Sequence, residues 1–245
     1  YQRTRNASHP REFLKDFSGV CVTDGYQVYH TIEGEREDLK IAGCWSHARR
    51  RFDEAVKALP KARQKDSRAY LALTMIQAIY REEKQLKELP AQERQNRRQL
   101  SVRPLVEAYF TWVRENLPKV PPKSKTWEGF NYSLNQEKYL KVFLDDGEVP
   151  MDNNAAEQSI RGFCIGKKNW VMIDTVAGAK SSAIIYSIAE TAKANNLKPY
   201  DYFEYLLTEL PKHLDDTDRT FLDDLLPWSP NLPANCRKPG KNEMK

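Results

Sequence analysis

The sequence has few of the features that assign a class outright. Its four cysteines, at positions 21, 44, 164 and 236, are scattered and form no CxxC pair. That argues against a disulfide framework and for reduced core thiols in a cytoplasmic protein, with Cys21 in an apolar strand and Cys164 on an apolar helix face. No run approaches the roughly 20 apolar residues that cross a bilayer. Tyr1 to Arg11 holds no signal-peptide core. No methionine opens the chain, so it reads as a piece of a longer protein. The charge imbalance is small: a net +5 permits a nucleic-acid partner without demanding one. With 245 residues, 40% hydrophobic and 30% charged, there is enough chain for one large or two small folded domains.

The first quarter reads as α/β. Pro10 to Phe17 suits a short helix with Phe13, Leu14 and Phe17 inward. Val20-Cys21-Val22-Thr23 is a β-prone run, and Asp24-Gly25 follows at its carboxyl end, where open α/β sheets bind ligands. Asp-Gly is equally a favoured turn dipeptide. Lys40 to Cys44 is a second short strand. It leads into a helix with Ala48, Phe52, Ala55, Val56 and Leu59 on its core face, and with His47, Arg50, Arg51 and Glu54 opposite. A strand entering a helix whose first turns carry His and Arg suits phosphate. Arg49-Arg50-Arg51 also fits a plain solvated face. Cys44 and His47 have half a zinc-site spacing, but no second pair accompanies them.

From Lys61 to Gln136 no strand pattern appears. Ala72, Met75, Ile76, Ile79 and Leu86 mark one helix face, and Pro90 breaks it. Pro104 opens another helix, and Ser124 caps a third. Arg94, Arg97, Arg98 and Arg103 give this region a basic edge, read as a solvated face. Further on, Asn169 to Asp174 suits a strand or extended segment. A helix after Gly178 should turn Ala183, Ile184, Ile188 and Thr191 inward. Tyr200 to Leu210 is amphipathic, and the Pro- and Lys-rich end after Trp228 is expected to be disordered.

The stretch from Pro150 to Trp170 carries the most chemistry. Asp152, Asn153 and Asn154 are good N-caps. Ala156, Ile160, Phe163 and Cys164 then mark an apolar face, with Glu157 and Arg161 on another. One carboxylate in a first helical turn, followed by Arg161, Lys167 and Lys168, suits a divalent cation beside a phosphate backbone. Asn154 to Glu157 is also a capping box, in which Glu157 only folds back on the cap.

Three segments in order, Val22 to Tyr26 (VTDGY), Cys44 to Phe52 (CWSHARRRF) and Asp152 to Trp170 (DNNAAEQSIRGFCIGKKNW), closely resemble the insertion-sequence-66 family of bacterial transposases. The segment around Leu225 to Trp228 is similar to that family's C-terminal part. The resemblance implies a ribonuclease-H-like α/β mixed-sheet core interrupted by an all-helical insertion, with a helical tail. Its implied boundaries are 1–60 and 139–198 for the two parts of the core, 61–138 for the insertion and 199–245 for the tail.

The resemblance further implies three catalytic acids, with Asp24 as the second Asp and Glu157 as the Glu. Two Mg²⁺ or Mn²⁺ ions would be held there for DNA cleavage and strand transfer. His47, Arg50, Arg51, Arg161, Lys167 and Lys168 would contact DNA, and Cys44, Asn153 and Asn154 would support the site. The family's first Asp lies upstream of the matched region, so this chain is expected to be inactive by itself and to bind metal weakly. Transposon ends and target DNA are the implied partners, in the bacterial cytoplasm. A homo-oligomer and accessory proteins of the same element are compatible with the resemblance. The alternatives are a nuclease that cuts without joining and a non-catalytic DNA-binding or assembly remnant.

Overall fold

The structure, a computed structural model, describes residues 4–170 and 175–239, and for 167–170 the backbone alone. It is mostly helical, with a two-stranded parallel sheet. After a short helix, α1 (Ser8–Phe13), strand β1 (Gly19–Thr23) runs into α2 (Gln27–Gly34) and returns as β2 (Leu39–Gly43). The register pairs Gly19 with Leu39 and Thr23 with Gly43. Parallel strands need such a crossover, and it leaves both carboxyl ends on one edge. Leu14, Ile32, Leu39 and Ile41 form a small core beneath it. Of the three residues expected inward near α1, only Leu14 is buried; Phe13 and Phe17 face outward. The helix is too short to turn all three to one side.

Chain contacts divide the molecule into two units, residues 2–157 and 158–245. In the first, α3 (Trp45–Lys57) is the central helix. Its expected face of Ala48, Phe52, Ala55 and Val56 is buried. Trp45 is fully buried, donates Nε1–H to the Leu140 carbonyl at 2.8 Å, and meets the rings of Tyr109, Phe110 and Phe143. Around α3 lie α4 (Lys61–Gln64), α5 (Arg68–Gln85), α6 (Ala91–Arg97), α7 (Arg103–Asn116), α8 (Lys125–Asn135) and α9 (Glu137–Leu140). Ser67 and Ser124 cap α5 and α8 by accepting the N–H groups of Tyr70 and Trp127, as good N-caps do. Residues of β2, α3, α5, α7, α8 and the 140–151 segment share one apolar core.

The expected basic edge is corrected. A π-helical turn, Arg98–Val102, joins α6 to α7 and rotates Arg98 inward to 1% exposure. Its guanidinium pairs with Glu83 and donates to the carbonyls of Phe143, Asp146 and Val149 at 2.7–3.0 Å. Arg94 donates to the carbonyls of Leu86, Lys87, Leu89 and Gly147. Arg103 holds Gln99 and Asp145. Only Arg97 of the four is exposed. Periodicity does not reveal this, because some of the partners, the carbonyls of Phe143, Asp146, Gly147 and Val149 and the Asp145 carboxylate, lie at least 42 residues on in the chain. Gly147 is obligatory in that strip: a Cβ there would lie 1.9 Å from the Ala91 carbonyl oxygen.

Helix α10 (Asn154–Trp170) carries the chain from the first unit into the second. Asn169 and Trp170, expected extended, are helical, and the rest of that segment lies outside the described residues. Cys164 is exposed and is no core thiol, whereas Cys21 is partly buried and packs against the core of Leu14, Ile32, Leu39 and Ile41. Ile160 is 55% exposed, and of the expected apolar face Phe163 meets Tyr186 edge-on. In α11 (Val176–Ala194) the buried residues are Ala179 and Ala192, while Ile184 faces outward. α12 (Pro199–Glu209) and α13 (Leu222–Leu225) follow. The end after Trp228, expected disordered, packs as far as Lys238. Leu232 and Cys236 are buried, and Lys198 N–H and Lys238 N–H donate to the carbonyls of Cys236 and Asn196. Those backbone bonds override a polar composition.

Arg98→Leu is expected to cost about 3–5 kcal/mol in urea unfolding, because it strands Glu83 and three carbonyls together. Arg98→Lys should restore little, since an ammonium lacks the five-donor fork. A loss below about 1 kcal/mol would contradict the strut role.

Candidate active site

Asp24 follows Thr23 directly, and Cys44 follows Gly43, so both stand at the carboxyl edge of the sheet. There Asp24 has two attachments. Its Oδ1 accepts the Tyr26 N–H at 3.0 Å, which is the turn its Asp-Gly sequence suggests, and Gly25 adopts φ +83°. Its carbonyl accepts Tyr132 Oη–H of α8 at 3.1 Å. Burial pushes the Tyr132 phenol up to about 12, so it remains a donor. One carboxylate oxygen of Asp24, which is itself exposed, is thus free of the turn.

The start of α10 is tied to the same edge. Trp45 N–H donates to the Met151 carbonyl at 3.0 Å, and Asn153 N–H to Cys44 Sγ at 3.4 Å. Asp152 is the fastener: it accepts Tyr80 Oη–H at 2.9 Å, the Asn154 N–H and the Asn154 side-chain amide. The first intrahelical bond runs from Glu157 N–H to the Asn153 carbonyl, which makes Asn153 the cap residue. The capping box anticipated from Asn154 is therefore out of register by one, with Ala156 at its third position. Glu157 faces α3 instead. Its Oε1 lies 3.6 Å from His47 Nε2 and its Oε2 3.8 Å from Arg50 Nη2.

The consecutive arginines of α3 fan out, as helical residues about 100° apart must. Arg49 lies over the Tyr80 ring at 5.9 Å, Arg50 faces Glu157, and Arg51 stacks on Tyr132 at 4.2 Å. One helix thereby reaches both carboxylate neighbourhoods. Beside it, the Cys44 thiol raises the affinity of the His47 ring for a proton, and Glu157 adds to this against partial burial. Burial pushes the thiol up, but His47, Ser46 and the Asn153 N–H outweigh it and hold it below its ordinary value. No hydrogen bond of normal geometry reaches His47 Nδ1, and Asn153 Oδ1 is likewise buried without a partner.

Asp24, Cys44, His47, Arg50, Arg51, Asn153, Asn154 and Glu157 all belong to the first unit. Arg161 is exposed on α10 in the second unit, and the side chains of Lys167 and Lys168 lie outside the described residues. Tyr80, Asp152 in its fastening role, and Tyr132 were not anticipated as parts of the site. No local pattern marks the two tyrosines, whose roles depend on α5 and α8 packing against α3.

As a metal centre the set is partial. Asp24 and Glu157 offer hard oxygen donors, and the orphaned Asn153 Oδ1 is a third oxygen of the kind Mg²⁺ accepts. Among the described residues no three His, Cys, Asp or Glu side chains gather as a metal ion requires. No helix among the described residues is long and apolar enough to cross a membrane.

Comparison with known proteins gives a consistent result. The family described as transposase IS66 family matches residues 1–181, and the IS66 C-terminal element matches residues 187–228. Uncharacterized protein y4qI of Sinorhizobium fredii (strain NBRC 101917 / NGR234) is 28% identical over 236 residues, covering 94% of this chain and 42% of that protein. Uncharacterized protein y4jD of the same strain is also 28% identical, with 94% and 44% covered. The chain thus spans less than half the length of these relatives. No solved structure matches it.

Asp152→Ala should lower stability by about 1–3 kcal/mol, since it leaves Tyr80 and the Asn154 N–H without their acceptor. Glu157→Gln should cost no more than about 1 kcal/mol, because its ion pairs are long and partly solvated. Chemical denaturation measures both, and the reverse order would return Glu157 to a capping role.

Proposed function

We propose, since the chain belongs to the transposase IS66 family, that it contributes the catalytic portion of a DNA transposase with a ribonuclease-H-like core. In this reading residues 1–60 and 139–198 build the core, 61–138 are an insertion and 199–245 a helical tail. Asp24 and Glu157 are two of the three catalytic acids that the family resemblance implies. The observation that carries the reading is their placement: a strand end and a helix start, far apart in sequence, tied to one sheet edge through Cys44 and Met151.

Asp24 and Glu157, with the partnerless Asn153 Oδ1 as a further oxygen donor, would hold Mg²⁺ or Mn²⁺. Bound there, the ions supply activation of the attacking oxygen and stabilisation of the leaving oxygen at a phosphodiester. The protein's own residues do the rest. His47 and Arg50 each face one oxygen of Glu157 and favour its orientation toward α3. Cys44 favours the protonated, cationic ring of His47, which suits a phosphate neighbourhood. Arg50, Arg51, Arg161, Lys167 and Lys168 attract the DNA backbone. Water attacks in cleavage and a 3′-hydroxyl in joining, so no covalent protein–DNA intermediate forms.

A second reading, a non-catalytic DNA-binding remnant, draws on the finding that among the described residues no three His, Cys, Asp or Glu side chains gather. Cleavage of terminal DNA by the protein at its full natural length separates the two. Asp24→Asn and Glu157→Gln should each lower the Mg²⁺-dependent rate by at least about 100-fold, a loss of several kcal/mol of transition-state stabilisation, with DNA affinity retained. Cleavage at the unsubstituted rate in either variant would sink the assignment.

A further inference from the structure

A cleft of about 810 Å³ opens on the first unit between α3, α5, α6 and the strip that leads into α10. Six Arg or Lys against three Asp or Glu line it, so its field favours an anion. The cations divide by function. Arg94 and Arg98 form the floor and are consumed by backbone carbonyls and Glu83. Arg81, Lys84 and Lys87 stand exposed along one side of α5 and its end, and among the described residues none of them forms an ion pair. Arg49 faces them from α3. Two of the three acids are engaged elsewhere, Glu83 by Arg98 and Asp152 by Tyr80 and Asn154.

We propose that this cleft binds the phosphate backbone of duplex DNA and leads it to the Glu157 side of the candidate active site. The proposal rests on the transposase reading and adds a binding surface to it. Three observations select a backbone over a compact anion. Arg81 and Lys84 lie about 4.5 Å apart along α5 at 1.5 Å per helical residue, and Lys87 follows in the turn after Gln85, a row longer than the roughly 3.4 Å axial rise between successive phosphates of one strand. The cleft adjoins the site: its lining ends at Asp152, two residues before α10, whose first turn carries Glu157. The aromatic in the cleft is already occupied, since Tyr80 bonds Asp152 through its hydroxyl and carries Arg49 on its ring. That leaves no stacking platform for bases, so the cleft meets phosphates and is indifferent to sequence.

The test is fluorescence anisotropy with the 245-residue chain and two unrelated duplexes of about 30 base pairs, between about 50 and 200 mM salt. The variant Arg81→Gln/Lys84→Gln/Lys87→Gln should bind both duplexes at least roughly tenfold more weakly, with a salt slope shallower by about 0.9 for each phosphate no longer neutralised. A control of equal charge change, Lys61→Gln/Arg63→Gln/Lys65→Gln on exposed α4 and its flank, should weaken binding by less than about twofold with its slope little changed. Both variants should melt as the unsubstituted chain does. Equal weakening in the two variants, or an unchanged slope in the first, overturns the cleft and leaves the Glu157 assignment standing. An unsubstituted chain that binds neither duplex overturns the cleft together with the DNA-binding part of the transposase reading.

Discussion

A guanidinium buried to 1% exposure needs an acceptor for nearly every N–H, because an unpaired charge in the interior costs several kcal/mol. Arg98 finds its acceptors in Glu83 of α5 and in three carbonyls of residues 143–149. Phe143 belongs to a 3-10 turn, Val142–Asp145, and Asp146 and Val149 to the bend after it. The guanidinium ties the two together and so steadies the approach of Val149 to Met151 toward Trp45. From that point the chain has little freedom. Met151 accepts the Trp45 N–H, Asn153 donates to Cys44, and α10 starts with Glu157 facing His47 and Arg50. The π-helical turn is a local irregularity that admits Arg98 to this position, in keeping with the association of such turns with functional regions.

Helix α3 converts that placement into a site. Its buried face is fixed by Trp45, Ala48 and Phe52, which settles the direction of every other residue on it. His47 and Arg50 then meet Glu157, Arg51 meets Tyr132 beside Asp24, and Arg49 meets the cleft over Tyr80. Three adjacent arginines with three different neighbours form more than a solvated face, although each interaction alone is weak. Their combined effect is a positive field beside two carboxylates, which attracts an anion such as a phosphate.

The local pattern made much of this legible. The two strands, the core face of α3, the cap at Ser124, the proline opening α7 and the start of α10 are all written in residues a few positions apart. What depends on distant partners was not. Arg94, Arg98 and Arg103 look like a surface edge because each has an acceptor about 40 to 50 residues away, beside nearer ones such as Leu86, Glu83 and Gln99. Tyr80 and Tyr132 carry no local mark, since their hydroxyls act on Asp152 and Asp24 across the fold. Glu157 fits a capping box by spacing, and only the one-residue shift of the cap to Asn153 frees it for α3. The tail beyond Trp228 reads as polar linker, yet backbone bonds to Asn196 and Lys198 order it. Local chemistry set the elements; long-range acceptors set what their side chains do.

The central claim is that Asp24 and Glu157 serve one centre at the sheet edge. Anomalous scattering from Mn²⁺ in crystals of the protein tests it most directly. The account predicts a peak ligated by carboxylate oxygens of both residues, with Asn153 Oδ1 adjoining it. A peak that leaves either carboxylate outside its coordination sphere would contradict the claim, and so would Glu157 turned back onto the helix cap with Mn²⁺ bound elsewhere.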